Sequence, residues 1–238
     1  NVPPGFVIST AACLAYQERG QLPAGLMDQV RLQVAEIERK TGKRFGSAVD
    51  PLLVSVRSGS AMSMPGMMDT ILNLGLNEET LAGLVAATRN PRFAHDAWRR
   101  FVQLFGKVAL GVPDEAFDAA MSALKQRVGA AQDVDLSGDD LKALGDEYLA
   151  IVKAATGKPF PSDPYEQLEI AIGAVFRSWM GKRAVDYRRQ FRITPQMANG
   201  TAVNVVAMVF GNMGDDSATG VGFTRNPGTG ENLIYGEY

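Results

Sequence analysis

Residues 55–75 read SVRSGSAMSMPGMMDTILNLG, and the reading of this stretch decides the fold. The apolar run before it, PLLVSV, has strand character and ends on Arg57. It then opens into small residues, four methionines, one proline and three glycines. A guanidinium at the end of a buried strand presents fixed donors and a permanent charge, which suit phosphate oxygens. Gly59 and Gly66 allow backbone N–H groups to approach an anion closely. Methionines around Gly66 exclude water while adapting to a moving ligand. The residues alone leave a second reading open, in which Arg57 pairs with a structural carboxylate and the methionines simply pack. The spacing does not match GxxxxGK(S/T), so that phosphate loop is excluded.

Working outward, VPPGFVIST has two prolines that forbid helix, and FVI can pair as a short strand. Ser9 caps a helix ending near Gly20, and a second helix runs from about Ala24 to Thr41, with Gly42 as its stop. Leu26, Val30, Val34 and Ile37 form its buried stripe. From Glu78 to about Gln190 the pattern is helix after helix, with Asn90-Pro91 and Pro113 as starts. Ser137 with Asp140, and Asp163 with Glu166, read as capping boxes. The last helix carries Leu168, Ala171, Ile172, Val175, Phe176 and Trp179 on one face, and its end, GKRAVDYRRQFR, reads as a solvated basic face. After residue 190 strand patterns return in TAVNVVAMVFGNM, VGF and ENLIYGEY. The expected architecture is α+β, with parts at 1–77 and 191–238 around a helical subdomain at 78–190.

A second candidate site is GDDSATGVGFTRNPGTGE, where Thr219 and Gly220 in a strand-joining turn can donate to phosphate; a plain surface hairpin has the same composition. Glu231 and Glu237 are weak candidates for magnesium, since hard cations prefer carboxylate oxygen. The single histidine, His95, reads as a helix-packing or surface residue, and it leaves no second histidine for a metal cluster. The one cysteine, Cys13, excludes an internal disulfide and reads as a small apolar helix residue. A net charge of -2 argues against nucleic acid as a partner. No apolar run approaches the ~20 residues of a membrane span, so no membrane partner is expected and the cytoplasm is the default compartment. The chain starts at Asn1 and stops inside a strand-like run, which reads as a piece of a longer protein.

VPPGFVIST, LLVSVRSGSAMSMPGMMDTILNLG, RNPRFAHDAWRRF, AVFRSWMGKRAVDYRR and TAVNVVAMVFGNMGDDSATGVGFTRNPGTGENLIYGEY together resemble the pyruvate phosphate dikinase family in its N-terminal nucleotide-binding part. The likeness covers essentially the whole chain in the family's order. It implies an ATP-grasp-like fold, incomplete at both ends, in which two α+β subdomains clamp ATP. It also implies conversion of ATP, phosphate and pyruvate to AMP, pyrophosphate and phosphoenolpyruvate, with Mg²⁺ and a monovalent cation. A phosphohistidine on a separate domain of the full-length chain is the implied partner.

Carried over by motif, Arg57 is the strand-end arginine that binds ATP phosphates and stabilises the moving phosphoryl group. Gly66, Met67 and Met68 form the loop over the phosphates, with Thr70 beside it. Thr219 and Gly220 sit in the facing turn, and Val206, Ala207, Met208 and Val209 border the adenine through backbone groups. The family's acceptor histidine, its nucleotide-binding lysine and its later carboxylates have no counterpart here, so the expectation is no complete dikinase activity and weak ATP affinity. The alternatives are the nucleotide domain of a phosphoenolpyruvate synthase or related dikinase, a non-catalytic nucleotide-binding or scaffold module, and a helical interaction protein.

Overall fold

The structure, a computed structural model, describes residues 2–238. The chain runs β1 (Gly5–Ile8), α1 (Thr10–Arg19), α2 (Leu26–Thr41), β2 (Arg44–Phe45), β3 (Pro51–Leu52), β4 (Val54–Gly59) and β5 (Thr70–Leu74). Six helices follow: α3 (Glu78–Thr88), α4 (Pro91–Ala109), α5 (Asp114–Val128), α6 (Gly138–Thr156), α7 (Pro164–Ser178) and α8 (Lys182–Gln190). The last strands are β6 (Ala202–Ala207), β7 (Val221–Phe223) and β8 (Tyr235–Glu237). Helices and strands are mixed as an α+β protein. Two compact units emerge, one ending at Met208 and one spanning Val209–Tyr238.

The first unit is organised by a four-stranded sheet of order β1-β6-β4-β5, antiparallel at every junction. Period-two alternation decides its faces. Val54 and Val56 of β4, Ile71 of β5, and Val203 and Val205 of β6 are fully buried on one face. Helices α4 and α7 pack there, α7 through Leu168, Ala171, Ile172, Val175 and Phe176, none of which is exposed. On α4, Trp98, Phe101 and Phe105 surround Phe160 with ring centroids 5.2–5.8 Å from it. Edge-to-face aromatic contacts of this kind add to area burial.

Polar pins fix how the chain leaves the sheet. The buried Gln167 side chain accepts from Gly75 N–H at 3.1 Å and donates to Leu76 and Pro161 carbonyls, each at 2.9 Å. Arg99, buried on α4, lies 2.8 Å from Asp96 and 3.3 Å from Asp133, and Arg100 closes on Asp96 at 2.9 Å. Every charge of this cluster has a partner, as burial requires. Tyr148 donates to the Phe117 carbonyl at 3.2 Å, and burial pushes its hydroxyl up to about 12.

The structure departs from the sequence reading in local places. The expected single helix beyond Asp163 is two, because Gly181 turns to an extended ψ of 148° and starts α8 afresh. Asp163 caps α7 by accepting from Tyr165 and Glu166 N–H groups, without the reciprocal bond of a capping box. Pro113 stands at the cap position rather than in the first turn of α5. Strand β6 ends at Ala207, and ENLIYGEY is strand only over Tyr235–Glu237. The capping box at Ser137 and Asp140 is present. No helix among the described residues is long and apolar enough to cross a membrane.

Candidate functional site

The register of the sheet builds a site on the face opposite the helices. Residues directly opposite in antiparallel strands share a face. Val7 pairs with Asn204, Asn204 with Arg57, and Arg57 with Thr70. These four residues form one row across four strands, spanning about 14 Å at ~4.8 Å per strand. Arg57 is exposed, Val7 is 64% exposed, and Thr70 and Asn204 are half-buried. Val206 and Ser55 form the next row on the same face.

Arg57 runs along this face. Its Nε donates to Ser55 Oγ at 3.2 Å, and Ser55 Oγ donates in turn to the Val206 carbonyl at 3.4 Å. The side chain is thereby steered while its terminal nitrogens make no ion pair among the described residues. The reading in which Arg57 neutralises a structural carboxylate is not what the fold contains. A free, fixed guanidinium on an open sheet face is set to bind an oxyanion.

The loop from 60 to 69 leaves this row and returns to it. Thr201, fully buried, clamps its start by accepting from Gly59 N–H at 3.2 Å and donating to the Gly59 carbonyl at 3.1 Å. Gly59 lets the Asn204 amide lie against the backbone, since a Cβ there would lie 2.6 Å from Asn204 Nδ2 and displace that side-chain tip. Met64 is buried and anchors the loop, while Met62, Met67 and Met68 are half-buried. Met67 N–H donates to the Met64 carbonyl at 3.2 Å, and Gly66 between them has φ 70°. Proline followed by glycine with positive φ makes this a type II turn, as MPGM prescribes. On its return the loop meets α8: Arg183 donates to Asp69 at 2.9 Å and to the Gly66 carbonyl at 3.4 Å.

At the end of β6 the main chain is already committed. Ala207 N–H donates to the Pro4 carbonyl at 2.9 Å and Met208 N–H to the Leu53 carbonyl at 2.8 Å. Ala207 faces the core at 7% exposure, whereas Val209, in the second unit, is 73% exposed. Within that second unit Thr219 and Gly220 precede β7, which pairs antiparallel with β8. Thr219 fills the space above Gly211, where a Cβ would fall 1.6 Å from its Oγ1. Glu231 accepts from Thr229 Oγ1 at 3.2 Å, and Glu237 lies on β8 opposite Val221. No group of three or more His, Cys, Asp or Glu able to hold a metal occurs among the described residues.

The remaining reactive residues lie elsewhere. Burial pushes the Cys13 thiol up, so it is a weak nucleophile. His95 Nδ1 is buried without a partner among the described residues, and burial followed by Lys142 lowers its pKa. A cavity of about 620 Å³ lined by Asn77, Trp98, Lys153 and Phe160 contains none of the candidate binding or metal residues.

Residues 21–237 match the family described as pyruvate phosphate dikinase, AMP/ATP-binding domain. The chain belongs to that family. The pyruvate, phosphate dikinase of Entamoeba histolytica is 58% identical over 238 residues, covering all of this chain and 27% of the relative. The chloroplastic pyruvate, phosphate dikinase 1 of Arabidopsis thaliana is 52% identical, and the Clostridium symbiosum enzyme of the same name is 50% identical. The chain spans about a quarter of the length of these curated relatives, 24–27%.

In this dikinase-family domain the fold brings Arg57, Thr70 and Val206 onto one sheet face and hangs Gly66, Met67 and Met68 from its edge. Val209, Thr219, Gly220, Glu231 and Glu237 belong to the second unit. Asn204, Thr201 and Arg183 escaped the sequence reading. Asn204 had a signal in the alternation of TAVNVVA, which puts it out of phase with Val203 and Val205. The contacts of Thr201 and Arg183 cross 142 and 114 residues respectively, so no local pattern marks them.

Proposed function

We propose that this chain is the nucleotide-binding domain of a dikinase converting ATP, phosphate and pyruvate to AMP, pyrophosphate and phosphoenolpyruvate through a phosphohistidine on a separate domain. The observation that carries the reading is the exposed Val7–Asn204–Arg57–Thr70 row, with an arginine held by Ser55 and free of any ion pair. Phosphoryl transfer asks a protein mainly to position the phosphates in line and to neutralise their charge. Arg57 does both, binding phosphate oxygens and stabilising charge on the moving phosphoryl group. The Gly66–Met67–Met68 turn closes over the phosphates with Thr70 at its base, and the half-buried methionines exclude water as it closes.

The adenine lies along Val206 to Val209. Because the N–H groups of Ala207 and Met208 are already donated, that segment meets the base through carbonyls and side chains. Thr219 and Gly220, in the turn before β7, are the second set of phosphate donors. The fold is read as ATP-grasp-like, with residues 78–190 as its helical insertion.

Mg²⁺ arrives with the triphosphate and needs only one or two carboxylates beside the phosphates and water; Glu231 and Glu237 are the candidates. A monovalent cation completes the set in the whole enzyme. A net charge of -2 speaks against a nucleic-acid partner. The one cysteine is buried and free, in keeping with a reducing compartment such as the cytoplasm.

The test is titration of the chain with Mg·ATP and with AMP, followed by amide chemical shifts, which reach weak affinities. Loss of a charge-assisted hydrogen bond is worth ~1.5–3 kcal/mol. Arg57→Ala is therefore expected to weaken ATP about 10- to 100-fold and AMP far less, with Arg57→Lys between. An Arg57→Ala chain that keeps the wild-type ratio of ATP to AMP affinity overturns the reading.

A further inference from the structure

We propose that Arg183, on α8, is a positioning residue that holds the 60–69 loop ready for the triphosphate. The inference rests on reading that loop as the phosphate cover, and goes beyond it by naming what sets the loop's geometry from outside. The observation is a bracket: one guanidinium donates through Nη2 to Asp69 Oδ1 at 2.9 Å and through Nη1 to the Gly66 carbonyl at 3.4 Å. The two acceptors flank Met67 and Met68, so the bracket spans the distal half of the turn. Hydrogen bonds recorded within the loop itself reduce to the Met67-to-Met64 turn bond, and the buried Met64 side chain is its apolar anchor. Arg183 is the side chain that ties the tip to the body of the domain.

The helix it ties to is held at two points. Ala184, the next residue of α8, is fully buried. Arg188, one turn on, stacks over Trp179 at 3.9 Å from the ring centroid and donates to the Trp179 carbonyl at 2.8 Å. A helix fastened this way transmits its position to the loop through one long side chain.

Charge gives the bracket a second effect. Asp69 immediately precedes Thr70, the last member of the row containing Arg57. An unpaired carboxylate there would repel a triphosphate, and pairing with Arg183 removes that repulsion. The pair is open to solvent, at 64% and 29% side-chain exposure. Exposed pairs shift an equilibrium by about two- to fivefold. That bias is enough to favour one loop geometry and small enough to be broken in each opening and closing.

The experiment measures ATP and AMP affinities of the 238-residue chain in six forms: wild type, Arg183→Ala, Arg183→Lys, Arg183→Asp, Asp69→Arg and the swap that combines the last two. Thermal melting confirms folding, which an exposed side chain leaves intact. Arg183→Ala is expected to weaken ATP about fivefold, with AMP unchanged, and to shift the Gly66 and Met67 amides of the ligand-free protein. Arg183→Lys restores part of the loss, and the swap restores more than either single change. An unchanged ratio of ATP to AMP affinity in Arg183→Ala, with Arg57→Ala still lowering it, overturns this inference alone. An unchanged ratio in both variants overturns the phosphate-cover reading and this inference with it.

Discussion

Replacing Gly66 by alanine isolates the conformational part of the proposed site. An added Cβ meets nothing within 4 Å, so the substitution introduces no crowding. Its whole effect is backbone strain, because Gly66 sits at φ 70°. A residue with a Cβ costs ~1–2 kcal/mol in that left-handed region. The main opposing force is the Met67-to-Met64 hydrogen bond of 3.2 Å, worth ~1 kcal/mol, to which the exposed Arg183 contact at the Gly66 carbonyl adds a few tenths. Strain equals or exceeds the bond, so the turn opens in the variant. Met64 stays buried and Thr70 stays in the sheet, so opening is local and the melting temperature falls by no more than about 2–4 °C. Binding a triphosphate must then restore the turn at the difference, ~0–1 kcal/mol, which weakens ATP about two- to fivefold at 1.4 kcal/mol per tenfold. Asparagine tolerates the left-handed region better, so Gly66→Asn falls between glycine and alanine. Titration calorimetry with Mg·ATP, with AMP as the control, measures the difference. An alanine variant that binds ATP as wild type does, or that loses AMP to the same degree, refutes the reasoning.

Two further outcomes follow from the helical part. Gly83 lies inside α3, where alanine would gain ~1 kcal/mol of helix propensity, but its Cβ would sit 2.3 Å from the Ala48 carbonyl oxygen and 2.7 Å from the carbonyl carbon. Backbone cannot swing aside as a side-chain tip does, so overpacking of about 1–3 kcal/mol wins and Gly83→Ala is destabilised in urea unfolding; a more stable variant contradicts this. His95 has a folded pKa below the ordinary ~6.5, first through burial and then through Lys142. The unfolded chain takes up its proton first, so the stabilising contribution is complete above about pH 6.5 and declines as pH falls toward the folded value. Since the chain has one histidine, His95→Gln should flatten the melting temperature between about pH 7 and pH 5; an unaltered slope would assign the effect to other groups.

The local elements of this fold were readable because their signals are local. Asn90 before Pro91, Ser137 with Asp140, and Gly42 after Thr41 each satisfy helix ends with their own neighbours, and the structure uses all three. Arg57 stood out in the sequence because the apolar run before it ends so abruptly. The break between α7 and α8 was not, since apolar spacing runs on to Trp179 and only Gly181 interrupts it. The bulge of β5 against β4 rests on Asn73 at φ 60°, whose amide donates to the Ala97 carbonyl at 3.1 Å, a partner fixed only by tertiary packing. Asn204 could be assigned to the polar phase of its strand, but its place beside Arg57 depends on which strands pair. Long-range register is what one-dimensional pattern leaves undetermined.

Strand β6 lies between β1 and β4, yet the chain reaches it only after the whole run from Leu74 to Ala202 has been laid down. Until it docks, the hairpin of β4 and β5 and the short β1 share no hydrogen bonds, and closing so long a segment carries an entropic cost that slows assembly. Val7, Asn204 and Arg57 thus become neighbours late, when the keystone strand slides home. A half-finished chain presents an arginine and a greasy flap but no continuous floor beneath a ligand, so competence to hold one doubles as a report that the sheet has closed.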